Sequence, residues 1–212
     1  MFAWNTTAFE SVDGAGACPT LDAHTTGIVA GTKVATRGGW MPVEAIVEGQ
    51  EVLTFDGGLQ TVIAVTRHRL MADKRDVESW PMVVPARALG NRDEMMLLPH
   101  QSVMIESDLA EELTGDPFAL IPGASLVGFR GIAHVRPDCW VDVIQLHFAQ
   151  DEIVFANIGA LFLARAKADF FTDAAPSPYA VLPLSVADDL VDCLMADDHG
   201  AHHAPAPISA VA

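Results

Sequence analysis

The chain has 212 residues, half of them hydrophobic, with 28 acidic against 12 basic side chains and a formal net charge of −16. Such apolar content is enough for a buried core and excludes a disordered chain, and the length fits one domain with extensions or two small domains. The acidity argues against nucleic acid, whose phosphates demand Lys and Arg, and against an anionic membrane surface.

Charge also divides the chain. Every Lys and Arg lies between Lys33 and Lys167, and both flanks are purely acidic. The middle reads as the folded unit and the flanks as solvated or partner-facing arms. Cys18, Cys139 and Cys193 are far apart and odd in number, without zinc or redox spacing. Cys139 beside Trp140 reads as an inert buried thiol. The N-terminus lacks the basic start and apolar core of a secretion signal, and no apolar run reaches the roughly 18 residues of a membrane span. The expectation is a soluble protein, either cytoplasmic or placed in a particle or outside the cell by another route. No cofactor and no metal site is expected; His199, His202 and His203 lie in an Ala/Pro-rich tail that suits a mobile end better than a metal site.

Three segments follow in order. Residues 1–26 read as an extended arm with Phe2, Trp4 and Phe9 as apolar anchors. Residues 27–167 are dense in short strands bounded by Gly and Pro, the pattern of an all-β unit. Within them Lys33–Thr36 and Glu51–Thr54 read as strands, and Met41–Ile46 as a helical turn. Gly57-Gly58 reads as a hairpin turn into Leu59–Thr66, and Leu70–Glu78 as a charged loop. Further strands are expected at Met82–Pro85, Met95–Pro99, Ser102–Ile105, Phe118–Pro122, Trp140–Phe148 and Glu152–Ala156. Ser107–Leu113 reads as a helix capped by Ser107 and ended by Gly115. Residues 168–212 read as a Pro/Ala-rich linker, an amphipathic helix from Ser185 to Met195 and a mobile tail. The helix carries an apolar stripe of Val186, Leu190 and Leu194 that either packs on the domain or meets a partner.

One stretch directs the functional reading. Gly31-Thr32, Thr36, Gly38, Pro42-Val43-Glu44, Gly49 and Val52-Leu53 stand at the spacing that opens a Hint domain, the fold of inteins and of the Hedgehog autoprocessing domain. Pro85–Gly90 with Leu98-Pro99-His100-Gln101-Ser102-Val103, then Leu120–Val127 and Asp151–Asn157, resemble the later blocks of that family. Residues 27–160 are covered. The resemblance implies a mainly β, pseudo-twofold Hint-like fold with short helices, followed by the C-terminal amphipathic helix.

It also implies a chemistry. In that family a Cys or Ser at the first position attacks the carbonyl before it, and a His of the second block protonates the leaving nitrogen. Here Gly27 holds the first place and Gln101 the histidine's place. His100 stands beside it and, if residues 99–101 are strand, faces away. Thr32 and Asp151 are nearby candidates for helper roles, Asp151 also reading as a solvated turn residue. No His-Asn pair is present for asparagine cyclisation.

The reading is therefore a catalytically inactive Hint-like domain, a structural or protein-binding part of a larger assembly, of which a phage-like or extracellular particle is one example. Val186, Leu190, Leu194 and Trp4 are the expected partner-binding residues, through another protein or self-association. The alternative is autoproteolytic cleavage of the backbone before residue 27. A third reading, a small-molecule-binding β domain, requires an apolar pocket with convergent polar groups.

Overall fold

The computed structural model describes residues 20–21, 25–71, 75–137, 140–167 and 177–202, the last four of these as backbone only. The expectations for Trp4, Cys18, Cys139 and His203, and for the side chains of His199 and His202, lie outside the described residues.

Fourteen strands appear among the described residues: β1 (Ile28–Val29), β2 (Lys33–Thr36), β3 (Gly39–Pro42), β4 (Glu51–Thr54), β5 (Gly58–Thr61), β6 (Ala64–Met71), β7 (Met82–Val84), β8 (Met95–Leu97), β9 (Ser102–Glu106), β10 (Phe118–Pro122), β11 (Ala133–His134), β12 (Trp140–His147), β13 (Glu152–Ala156) and β14 (Ala160–Ala164). Two α-helices join them, α1 (Asp108–Thr114) and α2 (Leu184–His202). The strands build an eight-stranded sheet, ordered β10-β9-β14-β13-β2-β4-β5 with β3 on β2, and two three-stranded sheets, β1-β12-β6 and β11-β7-β8. Their apolar faces meet in one core that includes Val34, Val52, Leu97, Val103, Ile121 and Phe162.

Local sequence explains several elements. Ser107 Oγ accepts from the Leu109 N–H at 3.1 Å, and Gly115 ends α1 at φ 80°, as its capping pattern predicts. Other elements depart from expectation for tertiary reasons. The run Leu59–Thr66 is broken at Val62-Ile63, because β5 belongs to the large sheet and β6 to a small one. Val62 is buried at the crossing and its N–H reaches Gln50 O at 2.8 Å. The charged stretch after Leu70 is not all loop. β6 runs on to Met71 because β12 offers an eight-residue ladder, with Arg69 bound to Asp142 at 2.8 Å on its exposed side. The apolar run Ala160–Ala164 is a buried strand between β13 and β9.

The C-terminal helix packs on the domain. Ala187, Leu190 and Val191 join the main core, and Leu194 and Met195 pack against it. Val186, expected beside Leu190 on a partner-facing stripe, is exposed, whereas Leu190 is fully buried inside the chain itself. Arg130 fastens the far end of α2, with Nε and Nη2 donating to the two Asp198 carboxylate oxygens at 2.7 and 3.0 Å.

Candidate functional site

The first and second blocks of the sequence meet at one peptide bond. β1 pairs with β12 in the register Ile28↔Ile144 and Val29↔Val143, so residue 27 arrives opposite Gln145. There the backbone ladder stops, and side chains take over its hydrogen bonds. Gln145 Nε2 donates to the Thr26 carbonyl at 2.8 Å. From the other side, the Gly27 N–H donates to Gln101 Oε1 at 3.0 Å. The single peptide unit between Thr26 and Gly27 is thus held at its oxygen by one carboxamide and at its nitrogen by another.

The orientation of Gln101 follows from its surroundings. Its Nε2 donates to Ser102 O at 3.0 Å and to Leu163 O at 2.8 Å. Turning the amide over would set NH₂ against N–H and oxygen against two carbonyls, so the network admits one assignment. The side chain is 2% exposed and has no spare proton to give. Gln101 is placed by a turn at Pro99–Gln101, closed by the Gln101 N–H on Leu98 O (3.1 Å) and gripped by Gly123 N–H on Gln101 O (2.9 Å). That turn corrects the expectation for His100. Residues 99–101 are not strand, so alternation does not apply, and His100 lines the same cavity as Gln101.

Gly27 is in a conformation that L side chains rarely adopt, φ 134°, and is packed tightly. A Cβ built on it would lie 2.7 Å from Val143 Cγ1 and 3.1 Å from both Gln145 Cγ and Ile144 O. No side chain fits at residue 27 without movement of the backbone or of β12.

Beside this peptide lies a cavity of about 270 Å³. Its walls combine apolar groups (Ile28, Ile144, Leu146, Leu163, Val181) with His100, Gln101, Ser102, Gln145, His147 and Arg165. His147 Nε2 is 3.0 Å from Thr66 Oγ1, while its buried Nδ1 has no hydrogen-bond partner. Burial, aided by the charges of Lys167 and His68, holds the imidazole below the ordinary histidine range against the opposing backbone of Arg165 and Ala166. It therefore stands neutral at pH 7.

Two expected helpers lie elsewhere. Thr32 is buried in the turn from β1 to β2, where its carbonyl accepts the Val43 N–H at 2.8 Å, and it does not line the cavity. Asp151 is also off the cavity and is not a solvated turn residue. Its carboxylate takes Ser177 Oγ at 2.6 Å, the Ala166 N–H at 2.7 Å and Arg165 Nη1 at 2.8 Å. Burial pushes this carboxyl up, but the three donors and the guanidinium charge outweigh it and hold it below the ordinary aspartate range. Gln145 and His147 are the residues that sequence reasoning did not place in the site. The signal available was a polar pair at i, i+2 ending a strand whose same face is otherwise apolar at Val141 and Val143. Among the described residues no three His, Cys, Asp or Glu side chains come together as a metal site, and no helix is long and apolar enough to cross a membrane.

The Hint domain family (Hint_2) matches residues 26–161. Among solved structures, a glutathione-linked, splice-inactive variant of the AceL NrdHF class 3 split intein is similar at 12% identity and TM-score 0.44, over 67% of this chain and 99% of its own. The bacterial intein-like domain from Clostridium thermocellum is similar at 14% identity and TM-score 0.47, over 65% of this chain and 98% of its own. No curated protein matches the chain.

Proposed function

The chain belongs to the Hint domain family, and we propose that it is a member that holds the junction its relatives' fold is built to cut. The observation that carries this reading is the pair Gly27 and Gln101. Glycine offers no thiol or hydroxyl to attack the Thr26 carbonyl. Gln101 presents an oxygen, not an acid, to the nitrogen that would have to leave. A carboxamide has no proton to transfer near neutral pH, so general acid help, worth about 10²–10⁴ in rate, is missing. The peptide is retained and clamped.

In this reading the domain is a structural or protein-binding component of a larger assembly. Its surface supports the second half. Trp40 on β3, with Leu53 and Leu59 paired across β4 and β5, stands exposed in an otherwise acidic protein. Val186 adds an exposed apolar residue at the start of α2.

The test is native mass spectrometry of protein from its own source, followed by the denatured mass of the same sample. An intact chain of 22.6 kDa, recovered from a complex of fixed stoichiometry, is the expected result. A fragment beginning at Gly27 would overturn the reading and make self-cleavage the function, with Ser102 of the cavity as the hydroxyl to examine.

A further inference from the structure

The turn from β13 to β14 is held in a backbone conformation that its residues do not favour. Asn157 sits at φ 42° and Ile158 at φ 85°. A β-branched residue in the left-handed region is an outlier that its surroundings must hold in place. Here they do so by close approach. A Cβ built on Gly159 would lie 2.2 Å from Gly90 O, so the turn is pressed on the segment that leads to Arg92. The Arg92 N–H donates to Asn157 O at 2.8 Å, and the Asn157 N–H donates to Lys33 O at 2.8 Å.

The Asn157 side chain is 5% exposed, and only half of its amide is used. Its Oδ1 accepts the Lys33 N–H at 2.9 Å, which fixes the orientation of the carboxamide. Its Nδ2 is left with no acceptor among the described residues. A buried donor in that position is costly unless something outside the fold takes its protons. Among the described residues only His147 Nδ1 is both unpartnered and fully enclosed. Asn157 Nδ2 therefore stays open to the cavity of about 370 Å³ that Asn157 lines with Lys33, Trp40, Arg92, Asp93 and Ile158.

The walls of this cavity divide by chemistry. Lys33 and Arg92 bring two of the chain's 12 basic side chains together in a protein of net charge −16. Asp93, 3.8 Å from Lys33 Nζ, offsets one of them. What remains is one positive charge and a free amide donor, a set that matches a monoanion. A dianion would meet the Asp93 carboxylate with its second charge unmatched. The planar fork of an arginine and an amide N–H suit the two oxygens of a carboxylate. Trp40 and Ile158, both exposed, supply apolar wall. The volume lies in the range of small-molecule pockets, which combine apolar lining with a few placed polar groups.

We propose that this cavity binds a small-molecule monocarboxylate carried on an apolar or aromatic body. Asn157 Nδ2, Arg92 and Lys33 take the carboxylate, and Trp40 and Ile158 cover the body. The site shares no lining residue with the cavity at the Thr26–Gly27 peptide, so it stands whether or not that junction is ever cut.

NMR titration of the full chain with phenylacetate at constant ionic strength tests this, read at the Asn157 side-chain amide and the Trp40 indole N–H. Both resonances should shift saturably, with a Kd of about 1 mM or tighter. 2-Phenylethanol, which keeps the ring and lacks the charge, and inorganic phosphate should each bind at least about tenfold more weakly. Asn157→Asp keeps an oxygen for the Lys33 N–H and turns the free donor into an acceptor, and Arg92→Gln removes a cation from an exposed position. Each should weaken phenylacetate at least about tenfold. Absence of a saturable shift would overturn the proposal. Equal binding of 2-phenylethanol would reduce the site to an apolar cleft, and equal or tighter binding of phosphate would reduce it to a pair of surface cations; either result refutes the carboxylate assignment. Unchanged affinity in Arg92→Gln would refute it as well, and that variant decides alone if Asn157→Asp does not fold.

Discussion

Replacing Gly27 by alanine is the sharpest probe of how the site is built. The new methyl must sit 2.7 Å from Val143 Cγ1 and 3.1 Å from Ile144 O, one of them backbone, on a residue at φ 134°. Val143 is fully buried, so it has little room to give. Overpacking of this kind costs about 1–3 kcal/mol, and holding a side chain in a sparsely populated backbone region adds about 1–3 kcal/mol. Against this, alanine gains about 0.4–1 kcal/mol through the unfolded chain. The expected loss is therefore about 1–5 kcal/mol. Gly31→Ala is the control. It has φ 90° but nothing within 4 Å of the added carbon, so it carries backbone strain alone. Urea unfolding followed by tryptophan fluorescence should place Gly27→Ala at least about 1 kcal/mol below Gly31→Ala. If the two differ by less than about 0.5 kcal/mol, the packing at residue 27 is looser than described and the argument against a side chain there fails. The same reasoning predicts that Gly27→Cys alone leaves the chain uncleaved, because the thiol would arrive only by displacing the clamp.

Leu190→Ala should destabilise the whole domain by about 2–5 kcal/mol, and Val186→Ala by less than about 0.5 kcal/mol, since the first is core and the second exposed; equal effects in denaturant melts would mean that α2 is not part of the cooperative unit. His147 has its folded pKa lowered, so the neutral form is the one the fold accepts. Stability is present above the unfolded value of about 6.5 and is lost as pH falls through the folded value, and His147→Gln should flatten that limb of the stability curve. Asp151 also has its folded pKa lowered, so its contribution is present above about pH 3.9 and disappears below it as the carboxylate takes a proton. Asp151→Asn should lower stability at pH 7 and remove that acid limb, as read by melting temperature across pH.

Much of the fold was legible because its signals are local. Ser107 and Gly115 bracket α1 through chemistry within a few residues, and the Gly and Pro positions of the first block set β2 and β4 where the turns demand. The meeting of Gly27 with Gln101 was legible only through the family resemblance, since 74 residues separate them. What escaped was non-local. Gln145 acquires its role from a strand register that brings it to Thr26 across 119 residues, and nothing beside it in sequence announces that pairing. His100 was misplaced because Pro99 opens a turn, which the flanking apolar runs hide. Leu190 and Val186 look alike in an amphipathic stripe, and only packing against the sheets separates them.

In the function proposed above, the two glutamines act on the junction with opposite sign. Catalysis needs contacts that grow stronger toward the transition state. Gln145 satisfies that requirement: a donor 2.8 Å from the Thr26 oxygen binds an oxyanion better than a carbonyl. Gln101 does the reverse. In the intact amide the Gly27 nitrogen is a planar donor, and Oε1 accepts its proton at 3.0 Å. In a tetrahedral adduct that nitrogen becomes pyramidal and basic, and it must receive a proton before it can leave. Facing it is an acceptor oxygen whose own N–H groups are committed to Ser102 O and Leu163 O. Gln101 therefore stabilises the uncut peptide and resists its departure. Gln101→His reverses the sign at the nitrogen, and Gln145→Leu removes the help at the oxygen. Gln145→Leu therefore works against cutting and Gln101→His in its favour, and junction protection should fall with Gln101→His. Hydrogen exchange at Gly27 in the two variants reads that difference directly, with faster exchange in Gln101→His than in Gln145→Leu expected. The opposite order would place the hold on the junction at its carbonyl and refute the account of the clamp.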